Sequence, residues 1–322
     1  MKTNSWKHLK FKLVRRVKIA LEPVLEPVQE RATYLKQYFT YFAKLRLEGE
    51  APNRPSITGV LVGRNDDYMP DFRARLHATI EWNTRYLLDE VIFIEWNPPP
   101  DRELLSTGLA QRFPHLRAYV IPPETHRAVC HNPNLNLMEY HAKNAGIRRA
   151  RTPWVVATNG DAAFGPDTVY RVAHTPVSEE TIWVARRVDV NWRGAQRESV
   201  RALECLNYQR MLFDIPLGTG EFLLASKRMW DRARGYDETL TRHRLGCDER
   251  GTAQMLAHGA QLRKAGFIFH LDHPNTFRDV RQPHHGEVAD VRSDLPYTNG
   301  DDWGLGNLRE VPVAERVWRL EH

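Results

Sequence analysis

Trp154-Val155-Val156-Ala157-Thr158-Asn159-Gly160-Asp161 decides how the rest of the chain is read: five uncharged residues run into a polar turn that ends in a carboxylate. A short, continuous apolar run bounded by Asn-Gly is the pattern of a strand covered on both faces. Sheets built from such strands carry helices on each side. Their ligands bind beyond the carboxyl ends of the strands, which is where Asp161 falls.

Working backward from residue 154, apolar runs at 57–62, 91–94 and 116–121 read as three further strands. Between them lie helical patterns, one opened by Asp71 with Phe72, Leu76, Ile80 and Leu87 near one face, another over about 137–149. Working forward, strands are expected at 182–185 and 267–269 and a helix at about 248–264. The alternation gives an α/β chain with a mainly parallel central sheet flanked by helices. Residues 1–50 form a basic, helical N-terminal extension, 56–275 the main domain, and 276–322 a C-terminal extension. The stretch 297–305, polar and aromatic, reads as a lid over the cleft or a surface tail.

With 322 residues, 42% of them hydrophobic and 27% charged, the chain is ordinary for a globular protein, and disorder and fibrous classes fall away. A net charge of +6 favours anionic partners. Three cysteines without close pairing argue against a zinc or disulfide framework and for a reducing, cytoplasmic setting. No apolar stretch is long enough to span a bilayer. The first 21 residues mix Lys and Arg with apolar residues and carry no acid, a pattern that suits a helix lying on anionic lipid at the inner face of the membrane, or one packed on protein. The positive run is short and no base-stacking motif accompanies it, so nucleic acid is not an expected partner.

The strand ends are polar. The first delivers Arg64, Asn65 and Asp66, the second Glu95, the fourth Asn159 and Asp161, and the late strand ends in His270 and His273. Asn and Asp in turns often bond only their own backbone. One carboxylate with distant imidazoles can equally hold a divalent ion whose shell a diphosphate completes. Lys143 and Asn144 are placed to reach a phosphate or ribose. Asp248, at a helix start that would favour a carboxylate anyway, and Glu221, in a glycine loop, are rival general bases. Walker and dinucleotide glycine signatures are absent.

Together Val62-Gly63-Arg64-Asn65-Asp66, Glu95, the 142–150 helix, Asn159-Gly160-Asp161, Gly220-Glu221-Phe222, Cys247-Asp248-Glu249 and His270-Leu271-Asp272-His273-Pro274 resemble, in order and spacing, the inverting, family-2-like nucleotide-sugar glycosyltransferases of the GT-A fold. The resemblance implies a glycosyltransferase that moves a sugar from a nucleoside diphosphate donor to a hydroxyl on a glycan or lipid-linked acceptor, in cell-surface or exopolysaccharide synthesis. It implies Mn or Mg at Asp161 with His270 or His273, and Asp248 as base. Arg64, Asp66, Glu95, Lys143, Asn144, Asn159 and Asp161 would hold the donor. Asn159 stands where the family carries the first acid of its metal motif. That departure keeps open a non-catalytic nucleotide-sugar or glycan-binding protein on the same fold.

Overall fold

The structure is a computed structural model that describes residues 31–48, 54–66, 68–69, 71–176, 178–192, 200–201, 205, 208–211, 217–273, 287–289 and 298–322. It divides into two compact units, Met1–Gly49 and Glu50–His322. In the first, helix α1 covers 31–48, and Tyr38 stacks on Phe42 one turn later with ring centroids 5.7 Å apart. Residues 1–21, expected to contact lipid or protein, lie outside the described residues. Among those described, no helix is long and apolar enough to cross a membrane.

The second unit begins β1 (Ile57–Gly63), α2 (Phe72–Tyr86), β2 (Glu90–Trp96), α3 (Leu105–Arg112), β3 (Leu116–Ile121), α4 (Pro123–Val129), α5 (Glu139–Arg149) and β4 (Trp154–Thr158). It continues β5 (Ala162–Phe164), α6 (Pro166–His174), β6 (Thr181–Val190), β7 (Tyr208–Met211), β8 (Phe222–Ser226), α7 (Lys227–Ala233), β9 (His243–Leu245) and α8 (Cys247–Ala257). β10 (Gln261–Leu271), β11 (Glu287–Val288), β12 (Arg309–Ala314) and β13 (Val317–Glu321) complete it.

One sheet runs β12-β13-β3-β2-β1-β4-β8-β6-β10-β5, with β7 on β6. The half that precedes Asn159 is parallel, as expected: β1 lies between β2 and β4, and β2 beside β3. Every residue of β1, β3 and β4 is buried, so their unbroken apolar runs follow from helices on both faces. Each buried aliphatic side chain of this layer contributes about 1.5–3 kcal/mol. Beyond β4 the sheet is mixed, because β8 runs antiparallel between β4 and β6. Antiparallel neighbours need no crossover helix, which is why the helix–strand alternation weakens in the second half of the sequence.

Three expected bounds shift. The helix placed at 248–264 stops at Ala257, because Gly259 takes φ +90° and the Ala260 amide turns back to the Met255 carbonyl at 3.0 Å. β10 therefore starts at Gln261, six residues before the apolar run that signalled it; its exposed Gln261, Arg263 and Lys264 hid that beginning. β6 runs past residue 185 to Val190 through Arg186, Arg187 and Asp189, charges that look unlike strand interior. Asp71 precedes α2 without capping it, since its carboxylate accepts from Arg75 through both oxygens at 2.9 Å.

Residues 298–305, read as a lid or a tail, pack against α5: Arg149 donates to the Gly304 carbonyl (2.8 Å) and Arg148 to that of Trp303 (3.0 Å). None of them lines the cavity described below. Residues 276–286 and 290–297 of the C-terminal extension lie outside the described residues, as do 274 and 275 before it.

Candidate active site

At the carboxyl end of β4 the chain turns so that the Ala162 amide bonds the Asn159 carbonyl at 3.2 Å. Gly160 at the centre of this turn has no room for a side chain: a Cβ there would stand 2.5 Å from Leu76 and 3.2 Å from Phe72 of α2. Thr79 of the same helix donates to the Gly160 carbonyl (2.6 Å) and the Leu271 amide to that of Asp161 (2.9 Å). The second bond stitches the turn to the end of β10. It brings His270 and His273 onto the Asp161 carboxylate, whose Oδ2 lies 3.4 Å from His270 Nε2 and 3.2 Å from His273 Nε2.

These three side chains are buried, and their ligand atoms lie within 4.8 Å of one another. One carboxylate with two imidazoles suits a divalent first-row transition ion better than magnesium, which prefers oxygen alone. Burial opposes ionisation of Asp161, but the adjoining His270 and His273 outweigh it and hold the carboxyl well below the usual range. Burial likewise opposes charge on His270, while Asp161 raises it above the ordinary histidine value. The Asn159 side-chain oxygen is buried with no hydrogen-bond partner among the described residues. Such an atom is costly unless a ligand satisfies it.

The group opens into a cavity of about 300 Å³. Arg64 follows β1 on its wall, and its guanidinium stacks on Tyr68, 3.9 Å from the ring centroid. Tyr68 in turn meets His273 edge-on at 6.1 Å. Arg187 and Arg244 bring further positive charge to the same walls, and Glu221 and Asp248 the negative.

Two carboxylates that sequence could not rank are separated by their surroundings. Glu221 is buried, and that alone would raise its pKa; the Arg187 guanidinium, 2.5 Å from Oε1, more than reverses the effect and holds it below the ordinary value. For Asp248 the one cation that counts, Lys143, is the weakest of the influences. Burial first, then the negative charge of Glu221, push its carboxyl up to about 6. A base poised near neutrality is the more effective one.

Of the residues expected to hold a ligand, the cavity gathers Arg64, Asn159, Asp161, Glu221, Asp248, His270 and His273. Four others are spent elsewhere. Glu95 is fully buried and accepts from the amides of Leu105 and Ser106 (3.0 and 2.8 Å) and from the Ser106 hydroxyl (2.6 Å), closing the amino end of α3 rather than reaching a nucleoside. Lys143, also fully buried, pairs with Glu139 and donates to the Gly220 carbonyl, both within 2.7 Å, so it braces the glycine loop instead of meeting a phosphate. Asn144 bonds the Tyr236 amide and carbonyl and Glu238. Asp66 pairs with Arg64 at 3.1 Å and accepts from the Tyr68 amide, ordering that wall without lining it.

Arg187 and Asp189 went unnoticed in the sequence. They stand two apart on β6, so they share one face, and β6 pairs with β10 in a register that sets His270 beside Asp189. A charged pair with period two beyond an apolar strand was the available signal.

No protein-family model and no curated protein sequence matches the chain. Among solved structures it is similar to GalNAc-T7 with UDP, GalNAc and Mn2+, at 10% identity and TM-score 0.47 over 69% of this chain and 44% of that one. It is also similar to the mannosyltransferase PcManGT from Pyrobaculum calidifontis in complex with GDP-Man and Mn2+, at 17% identity and TM-score 0.45 over 76% of this chain and 68% of that one. The chain thus spans less than half the length of the first. Both likenesses are remote.

Proposed function

We propose that the chain is a GT-A-type glycosyltransferase that moves a sugar from a nucleoside diphosphate to an acceptor hydroxyl. The observation that carries this reading is the convergence, in one cavity, of a buried Asp161–His270–His273 set with a carboxylate, Asp248, raised to about 6. Asp161, His270 and His273 would hold a divalent ion, Mn2+ rather than Mg2+, and that ion, when bound, neutralises charge gathering on the departing diphosphate. Arg64 and Arg244 bring positive charge to the walls on which a diphosphate would rest.

Asp248 accepts the acceptor's hydroxyl proton as the acceptor oxygen bonds the anomeric carbon. The bond from that carbon to the diphosphate oxygen breaks, and its electron pair leaves with the diphosphate. A single displacement of this kind inverts the anomeric centre. Glu221, held ionised by Arg187, acts on Asp248 through its negative charge rather than as a second base. Cell-surface or exopolysaccharide glycans and lipid-linked glycans are the acceptors this reading favours.

The test is a thermal-shift screen of UDP, GDP and ADP with and without Mn2+, followed by hydrolysis assays with the corresponding nucleotide sugars. A ligand that binds only the folded state at a hundred times its Kd adds about 2.7 kcal/mol. Stabilisation by a nucleoside diphosphate that depends on Mn2+ is the expected result. If no nucleotide shifts the melting temperature and no nucleotide sugar is cleaved, the reading is wrong.

A further inference from the structure

His270 faces acids through both ring nitrogens. Nε2 points at Asp161, while Nδ1 has two neighbours of opposite hydrogen-bonding character: Asp189 Oδ1 at 3.0 Å and Arg187 Nη2 at 2.8 Å. Arginine only donates and an ionised carboxylate only accepts. The two therefore demand opposite tautomers of the same ring. If Nδ1 is bare, Arg187 donates to it and the ring proton sits on Nε2, where it closes onto Asp161. If Nδ1 carries the single proton of the neutral ring, Asp189 accepts it and Nε2 is left with a free lone pair.

A cation among Asp161, His270 and His273 can use only the second form, because a metal-bound nitrogen cannot keep its proton. Arg187 gives up little in that form. Its Nε already donates to Asp189 Oδ1 at 2.7 Å and its Nη1 to Glu221 Oε1 at 2.5 Å. Asp189 is the acceptor paired with Nδ1, and the β6–β10 register holds the two side by side.

We propose that Asp189 is the positioning residue of the metal station: by accepting the Nδ1 proton of His270 against the competition of Arg187, it presents Nε2 as a ligand. This deepens the metal-binding part of the proposed function and rests on it. A carboxylate, histidine and metal in line is a general device for fixing a ligand's tautomer, and loss of the outer acid commonly lowers metal affinity 10–100-fold. Here the arrangement adds a rival donor at the same nitrogen, so losing Asp189 both removes the acceptor and hands Nδ1 to Arg187.

The experiment measures Mn2+ binding alone, by the loss of free-ion EPR signal, in full-length wild type, Asp189→Leu and Asp189→Asn. Asn keeps an acceptor oxygen without the charge; Leu keeps neither. A 10–100-fold weaker affinity in the Leu variant, largely recovered in the Asn variant, is expected. Equal affinity in Leu and wild type overturns the proposal, and an equal fall in both variants reduces Asp189 to a nearby charge and overturns it too. Nitrogen-15 spectra of the wild type loaded with diamagnetic Zn2+, at about pH 8, give a second readout that needs no variant. A protonated Nδ1 on His270 supports the assignment, and a bare Nδ1 refutes it. Wild type that binds no Mn2+ removes the metal station itself, an outcome distinct from wild type and Leu variant binding alike.

Discussion

Replacing Asp248 by Asn separates a residue kept for chemistry from one kept for stability. Its carboxyl sits at about 6 against an ordinary value of 3.8, roughly two pH units higher, because burial and Glu221 both disfavour the charged form. At about 1.4 kcal/mol per unit, the ionised group costs the folded state about 3 kcal/mol at neutral pH. The sign follows from proton counting. Between pH 3.8 and about 6 the folded protein holds a proton that the unfolded chain has lost, so stability falls as pH rises through that window and the penalty is constant above it. Asn carries no charge at any pH. The variant should therefore match wild type near pH 3.8, gain across the window, and melt roughly 5–10 °C higher at about pH 8. Under the proposed chemistry the same change lowers kcat about 100- to 10,000-fold, the range for loss of a general base. Differential scanning fluorimetry across pH, paired with nucleotide-sugar turnover, reads both. A variant no more stable than wild type at pH 8, or one within tenfold of its activity, refutes the reasoning.

Asp161→Ala should abolish the Mn2+-dependent rise in melting temperature, while any cation-independent nucleotide shift survives. Glu221→Gln removes the charge that helps raise Asp248, so the acid limb of the pH–rate profile should move to lower pH; an unmoved limb counts against that coupling. Glu95→Ala leaves two amides and a hydroxyl at α3 without their acceptor and should cost about 1–3 kcal/mol in urea unfolding, with the donor KM unchanged. Lys143→Met strands Glu139 and the Gly220 carbonyl, and a loss of about 3–5 kcal/mol by the same measurement is expected.

The sequence made the first half of the sheet legible because β1 to β4 are covered on both faces and so read as unbroken apolar runs. It failed where strands carry charged or polar residues. Arg187 and Asp189 make β6 look like a loop, and the polar start of β10 makes that strand look short. The turn at Asn159 and the two histidines stood out because polar residues directly after apolar strands are conspicuous. Glu95, Lys143 and Asn144, expected at the ligand, instead bond internal groups: a charged or amide side chain near a strand end can serve the protein's own amides and carbonyls as readily as a ligand. Only the partner atoms distinguish the two uses.

The buried run Asp161, His270, Asp189, Arg187 and Glu221 alternates donor and acceptor almost without contact with solvent. Dissolved ions screen charges on the surface over about 10 Å at ordinary concentrations, but buried pairs far less. Raising ionic strength should therefore leave the cation affinity of this run nearly unchanged while weakening the grip of the half-buried Arg64 and Arg244 on an anionic ligand. The salt dependence of KM then counts the half-buried charges of the cavity wall and is blind to the buried ones.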